Sequence, residues 1–197
     1  MESPIKQYFS NEMSKSVNTL ERIASDAAIA ALVEELTNVC CTALRAGRKI
    51  LLAGNGGSAA DAQHLAGEFV SRLNFDRPGL AAFALTTDTS VLTAVGNDYG
   101  YEKIFARQID AVGSAGDVFI GISTSGRSPN ILRALEASRR KGLVTVGFTG
   151  TPGGAMPGLC DFCLQVPASE TPKIQEGHIV LGHILCGLIE CEIFRGD

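Results

Sequence analysis

Apolar positions along the chain follow two patterns in turn. Residues 26–46 carry Ile29, Leu32, Val33, Leu36, Cys40, Ala43 and Leu44 at helical spacing, and Gly47 fits the stop of that helix. Residues 4–24, mixed polar and apolar, read as a helix before it. Beyond Gly47 short apolar runs take over, at 49–54, 80–85, 117–122, 143–150 and 161–166. Runs of this length, closed by Gly or turn residues, are the mark of buried strands. Helical segments near 58–73, 89–95, 101–112, 129–141 and 172–194 separate and follow them. Strands alternating with helices predict a parallel sheet covered on both faces. Right-handed crossovers then close it as a three-layer α-β-α sandwich with five parallel strands. There is no internal repeat or low-complexity linker, so one domain over 1–197 is expected.

Composition narrows the class. A chain of 197 residues is long enough to bury a core, and 45% hydrophobic with 19% charged residues argues against disorder. A net charge of −4 argues against a broad nucleic-acid surface. No uninterrupted apolar run approaches the ~18 residues of a membrane span, and the N-terminal segment has no apolar core of a secretory signal. A cytoplasmic protein without nucleic-acid or membrane partners is therefore expected. Cys40, Cys41, Cys186 and Cys191 sit in helix-like apolar stretches, where thiols pack as small hydrophobes. Cys160 and Cys163 form C-x-x-C without the second half of a zinc site, and read as strand packing. The 22 glycines, about 11% against a usual ~7%, need a use.

Two loops supply one. In such sheets ligands bind beyond the carboxyl ends of the strands. STSGRSPN places Ser123, Thr124, Ser125 and Ser128 within six residues, between a strand and a helix start. Hydroxyls, free backbone N–H groups and the positive helix end all favour phosphate there. One hydroxyl, Ser128, would suffice to cap the helix, and four exceed that need. GNGGSAADAQH has the same build, with Asn55 and Ser58 as donors and Gly56 and Gly57 permitting close approach. It lacks the Lys of a P-loop. The overall acidity means that any phosphate must be held locally, by dipoles and hydroxyls.

Three histidines remain: His64, His178 and His183. His64 precedes Glu68 by four residues, about 40° around a helix, so the two share a face. The last helix is apolar or Gly at nearly every position from Ile179 to Ile189, which predicts burial all round and a buried His183. Gln175 and Glu176 both lie close enough in angle to border the same site, and the wheel does not choose between them. His178 is about 140° from His183 and points elsewhere. A carboxylate, two imidazoles and an amide suit either acid–base catalysis or a metal ion.

At these motifs the chain resembles the sedoheptulose 7-phosphate (phosphoheptose) isomerases of the sugar isomerase, or SIS, superfamily. The resemblance rests on GNGGSAADAQHLAGEF, the DRPG turn, LTTDTS, VGNDYGYEKIFARQ, GDVFIGISTSGRSPN and TPKIQEGHIVLGH. It implies a flavodoxin-like SIS fold and a cytoplasmic enzyme of the ADP-heptose route to lipopolysaccharide core or related glycans. It also implies a homotetramer, assembled in part through the N-terminal helices at about 4–46. Substrate would meet Asn55, Gly56, Gly57, Ser58, Glu68, Asn97, Asp98 and Gln175, with Ser123, Thr124, Ser125 and Ser128 on the phosphate. Glu68 and His183 would be the acid–base pair. His64, Glu68, Gln175 and His183 would hold one zinc ion per subunit, which settles the choice in favour of Gln175. Arg127 falls where such loops vary and receives no catalytic role. Two other SIS classes compete: regulators that bind a replication initiator, which lack the intact acid–base set, and sugar-sensing domains fused to a DNA-binding module, for which 197 residues leave no room.

Overall fold

The computed structural model describes residues 3–195. Its elements run α1 (Pro4–Ala24), α2 (Ala27–Arg45), β1 (Ile50–Gly54), α3 (Gly57–Val70), β2 (Ala82–Ala84), α4 (Thr89–Tyr99), α5 (Ala106–Val112), β3 (Val118–Ile122), α6 (Pro129–Arg140), β4 (Val144–Gly150), β5 (Phe162–Val166) and α7 (Thr171–Phe194). All five strands are parallel, in the order β2-β1-β3-β4-β5. Leu52 stands between Ala84 and Ile120 in the register.

Alternate strand residues face opposite ways, so the sheet carries two cores. Ile50, Leu52, Ile120, Ile122, Phe148 and Leu164 pack with α2, α3 and α7. Leu51, Ala53 and Phe119 pack on the other face with α5 and α6 through Ile109, Ile131 and Leu135. The three-layer α/β sandwich with five parallel strands is therefore the fold.

Local chemistry explains the boundaries. Asp26 caps α2 by accepting from Ala28 N and Ile29 N, and Asp88 caps α4 by accepting from Val91 N. At its other end α4 runs on to Tyr99, past the expected end at 95, and Gly100, at φ +92°, breaks it. The segment 101–112 is consequently not one helix but a 3-10 turn at Tyr101–Lys103 followed by α5. The second strand shrinks from 80–85 to Ala82–Ala84, at an edge of the sheet where Phe83 is exposed. The helix expected over 58–73 stops at Val70, where the chain turns at Ser71.

The last helix corrects a second expectation. In α7, Leu181, Leu185 and Ile189 are buried, but Ile184 and Leu188 remain 46% and 43% exposed. Apolar character all round did not mean burial all round. By length and composition α2 and α7 could each cross a membrane. Here both press one apolar face on the sheet.

Asp117, at the start of β3, ties the sheet together at the end opposite the loops. Its carboxylate accepts from the backbone amides of Lys49 (3.1 Å) and Ser114 (2.8 Å) and pairs with Lys49 Nζ at 2.6 Å. Burial would raise this carboxyl, but the Lys49 ammonium and the two amides outweigh it and hold it below its ordinary 3.8. A depressed carboxyl stabilises the fold fully above the unfolded value and loses that contribution as pH falls through the folded one. Asp117→Asn should therefore cost about 2 kcal/mol at pH 7. The difference from the parent should close between about pH 5 and pH 2 in urea titrations.

Candidate functional site

The strand order reverses between β1 and β3: the chain goes from β1 outward to β2, then returns to β3 and continues to β4 and β5. Loops leaving adjacent strands in opposite directions open a crevice at their carboxyl ends. The loops at that crevice are 55–57 and 123–128, the two singled out by sequence. Two side-chain amides join them, Asn130 buried and Asn55 partly so. Asn55 Nδ2 donates to Asn130 Oδ1 at 2.9 Å, and Asn130 Nδ2 donates back to Asn55 Oδ1 at 2.8 Å. Tyr101 Oη adds a third bond, to Asn55 Oδ1 at 3.1 Å. Asn55 is thus a strut between loops with one amide hydrogen left for a ligand.

The second loop gathers hydroxyls at a helix start. Ser128 occupies the N-cap position of α6, yet its side chain makes no capping bond. Its hydroxyl turns instead to Ser123 Oγ, 2.9 Å away. Ser125 Oγ accepts from Arg127 N, and Gly126 takes φ +61°, which closes the turn. The loop is braced from behind: Gly150 N donates to Thr124 O and Ala155 N to Gly126 O, both at 3.0 Å. Arg127 itself is exposed.

The other half of the site comes from two helices packed side by side in the same direction. Gly57 at the start of α3 faces Gln175 near the start of α7, so that a Cβ at Gly57 would lie 2.6 Å from Gln175 Nε2. Further along, Leu65 of α3 fills the space that a side chain at Gly182 would take. This close approach brings His64 and Glu68 of α3 against His183 of α7. His64 Nε2 is 2.7 Å from His183 Nε2 and 3.3 Å from Glu68 Oε1. The imidazoles meet edge to face, 4.9 Å between centroids. The donor atoms of His64, Glu68 and His183 all lie within 4.8 Å of one another, a set able to hold a metal ion.

Several expectations are refined by this geometry. His183 is half-buried rather than buried, and its partner is His64. The core histidine is His178, 1% exposed and packed on Phe148; burial pushes its imidazole down to about 4, so it is neutral. Gln175 faces the first loop, whereas Glu176 is engaged by Lys173 at 3.0 Å. Ser58 is buried in the first turn of α3. Asn97 and Asp98 are exposed at the end of α4 and bonded to each other at 2.8 Å. Asn130 and Tyr101 were not among the expected site residues. Both lay inside quoted motifs, but nothing local marks an amide pair spanning 75 residues.

Comparison with known proteins places the chain among relatives of one family. A family model described as "SIS domain" matches residues 11–150. A phosphoheptose isomerase of Burkholderia pseudomallei (strain 1710b) is 57% identical over 98% of each chain. One from Aneurinibacillus thermoaerophilus is also 57% identical, over 97% of this chain and 96% of its own. The solved structure of the Neisseria gonorrhoeae phosphoheptose isomerase GmhA superposes with a TM-score of 0.88 at 38% identity, covering 94% of this chain and 98% of its own.

If the hydroxyl loop is the anion cradle, removing its paired hydroxyls should weaken inorganic phosphate. Calorimetry of the Ser123→Ala/Ser128→Ala double variant is expected to show affinity reduced about tenfold or more. An unchanged affinity would place the anion elsewhere.

Proposed function

The chain belongs to the phosphoheptose isomerases of the SIS-domain family, and from that premise we propose how its own residues interconvert sedoheptulose 7-phosphate and D-glycero-D-manno-heptose 7-phosphate. The observation that carries the reading is the convergence of His64, Glu68 and His183 from α3 and α7, which both start beside the ligand loops. The phosphate would sit at Ser123, Thr124, Ser125 and Ser128 and at the N-terminus of α6. That anchor would extend the sugar past Asn55, Gly56 and Gly57, with Gln175, Asn97, Asp98 and the buried Ser58 completing the substrate-facing set.

Ketose–aldose conversion transfers a proton between adjacent carbons through an enediol(ate) while protons shift on the two oxygens. Glu68 and His183 divide this work, one exchanging the carbon proton and the other serving the oxygens. Two imidazoles and a carboxylate are ordinary zinc ligands, so the donor set fits one zinc ion, held by His64, Glu68 and His183 with Gln175 beside them. Zinc there would polarise the carbonyl and hydroxyl oxygens. The product would feed ADP-heptose synthesis in the cytoplasm.

We also propose a homotetramer, and a second feature supports self-association. Ile5, Phe9, Met13 and Val17 recur every four residues along α1, with Tyr8 beside them, and are 49–81% exposed. An apolar stripe four turns long is a contact surface awaiting a partner, and other copies of this chain are the partners proposed.

Two measurements test these readings. Glu68→Gln and His183→Ala should each lower kcat on sedoheptulose 7-phosphate by about 100-fold or more. Near-normal turnover in either would remove its assigned role, and activity untouched by a strong chelator would remove zinc. On light scattering, Phe9→Glu/Met13→Glu should give a smaller species with its helical circular dichroism intact. An unchanged mass would show that α1 is not the contact.

A further inference from the structure

The C-terminal end of α3, where Glu68 sits, is not closed by its own sequence. Helices leave their last carbonyls without intrahelical donors. Ser71 N serves Gly67 O and Leu80 N serves Phe69 O, and Arg77, beyond the helix, supplies side-chain donors. Arg77 Nη2 donates to the backbone carbonyl of Glu68 itself at 2.7 Å. Nη1 donates to Phe69 O at 2.6 Å, with Ser71 O and Pro78 O at 3.2 and 3.0 Å. Nε donates to Glu190 Oε1 of α7 at 3.1 Å. The Glu190 carboxylate also accepts from Leu73 N (2.9 Å) and Asn74 N (2.8 Å). Both side chains are shut off from water, 2% and 0% exposed.

The placement is specific to the site. Glu190 lies seven residues after His183, two helical turns, and so on the same face of α7. The ion pair therefore joins the turn of α3 that carries Glu68 to the face of α7 that carries His183. Burial would raise the Glu190 carboxyl, but the two amides and Arg77 outweigh it and keep it charged. A buried pair of this kind is no more stabilising than well-packed apolar residues, so its use here is geometric.

We propose that Arg77 and Glu190 are positioning residues, which set the spacing of Glu68 and His64 against His183 through the Glu68 carbonyl and the shared face of α7. This rests on the assignment of Glu68 and His183 as the acid–base pair. An arginine is required because three nitrogens in a planar fork reach two helices at once, whereas a lysine ammonium reaches from one point.

Arg77→Lys keeps the charge beside Glu190 but gives up the Glu68 carbonyl. In the folded, zinc-loaded variant, kcat on sedoheptulose 7-phosphate should fall about 10–100-fold with KM changed less than about twofold. Zinc affinity, read by competition with a chromophoric chelator, should fall about tenfold. Glu190→Gln should move both quantities in the same direction, and decides the matter if Arg77→Lys does not fold. A lower thermal midpoint with unchanged kcat and zinc affinity would show that the pair only stabilises, and would overturn the proposal. Glu68→Gln run alongside separates the two failures. If it turns over normally, the acid–base assignment falls and the positioning role with it. If it is inactive while Arg77→Lys is fully active, the positioning role alone falls.

Discussion

The cluster of His64, Glu68 and His183 depends on how closely α3 and α7 lie. Both helices start near the ligand loops and run in the same direction, touching first at Gly57 and Gln175, then at Leu65 and Gly182, and finally through Glu190 at the amides of Leu73 and Asn74. A side chain at Gly182 would collide with Leu65, which is itself buried, so the separation is set by the absence of a Cβ. Only at this separation does His183 reach His64 and share a site with Glu68. The excess of glycine noted in the composition thus has two uses, one in the loops and one in this seam.

The ligand loops face a different constraint. The chain is acidic, with a net charge of −4, so its overall field repels the phosphate it has to hold. In the proposed cradle the answer is short-range: paired hydroxyls at Ser123 and Ser128 and the positive end of α6. Capping does not account for Ser128, whose side chain leaves the helix N–H groups unbonded.

The architecture was legible because strands buried on both faces become continuous apolar runs, and β1, β3 and β4 are such strands. Legibility failed where something distant decided the outcome. The end of α3 is bonded by Leu80 N and by Arg77, nine residues past Glu68. The hydroxyl loop and the His64–Glu68 spacing were local and therefore readable. The choice of Gln175 over Glu176 was not, because a helical wheel gives angles and not neighbours. His183 was misread as buried for the same reason: the wheel could not say that the Ile184 and Leu188 side of α7 is left uncovered in a single chain. The Asn55–Asn130 strut, 75 residues apart, and the Arg77–Glu190 pair, 113 apart, leave no local trace at all.

The two halves of the site are therefore held by different physics, and this separates their failures. The loops are fixed by polar bonds between side chains, in which deleting one partner strands the other. Asn130, 2% exposed, would leave Asn55 with a single neighbour, Tyr101, and the loop free to move under the ligand. The helix seam is fixed by volume and by a buried ion pair, in which a misplaced group shifts by fractions of an ångström without being released. Losses in the first half should appear in binding, and losses in the second in turnover at near-constant binding. On the proposed reading, a site divided in this way holds its phosphosugar by one end while a separate, stiffer frame governs the reacting carbons.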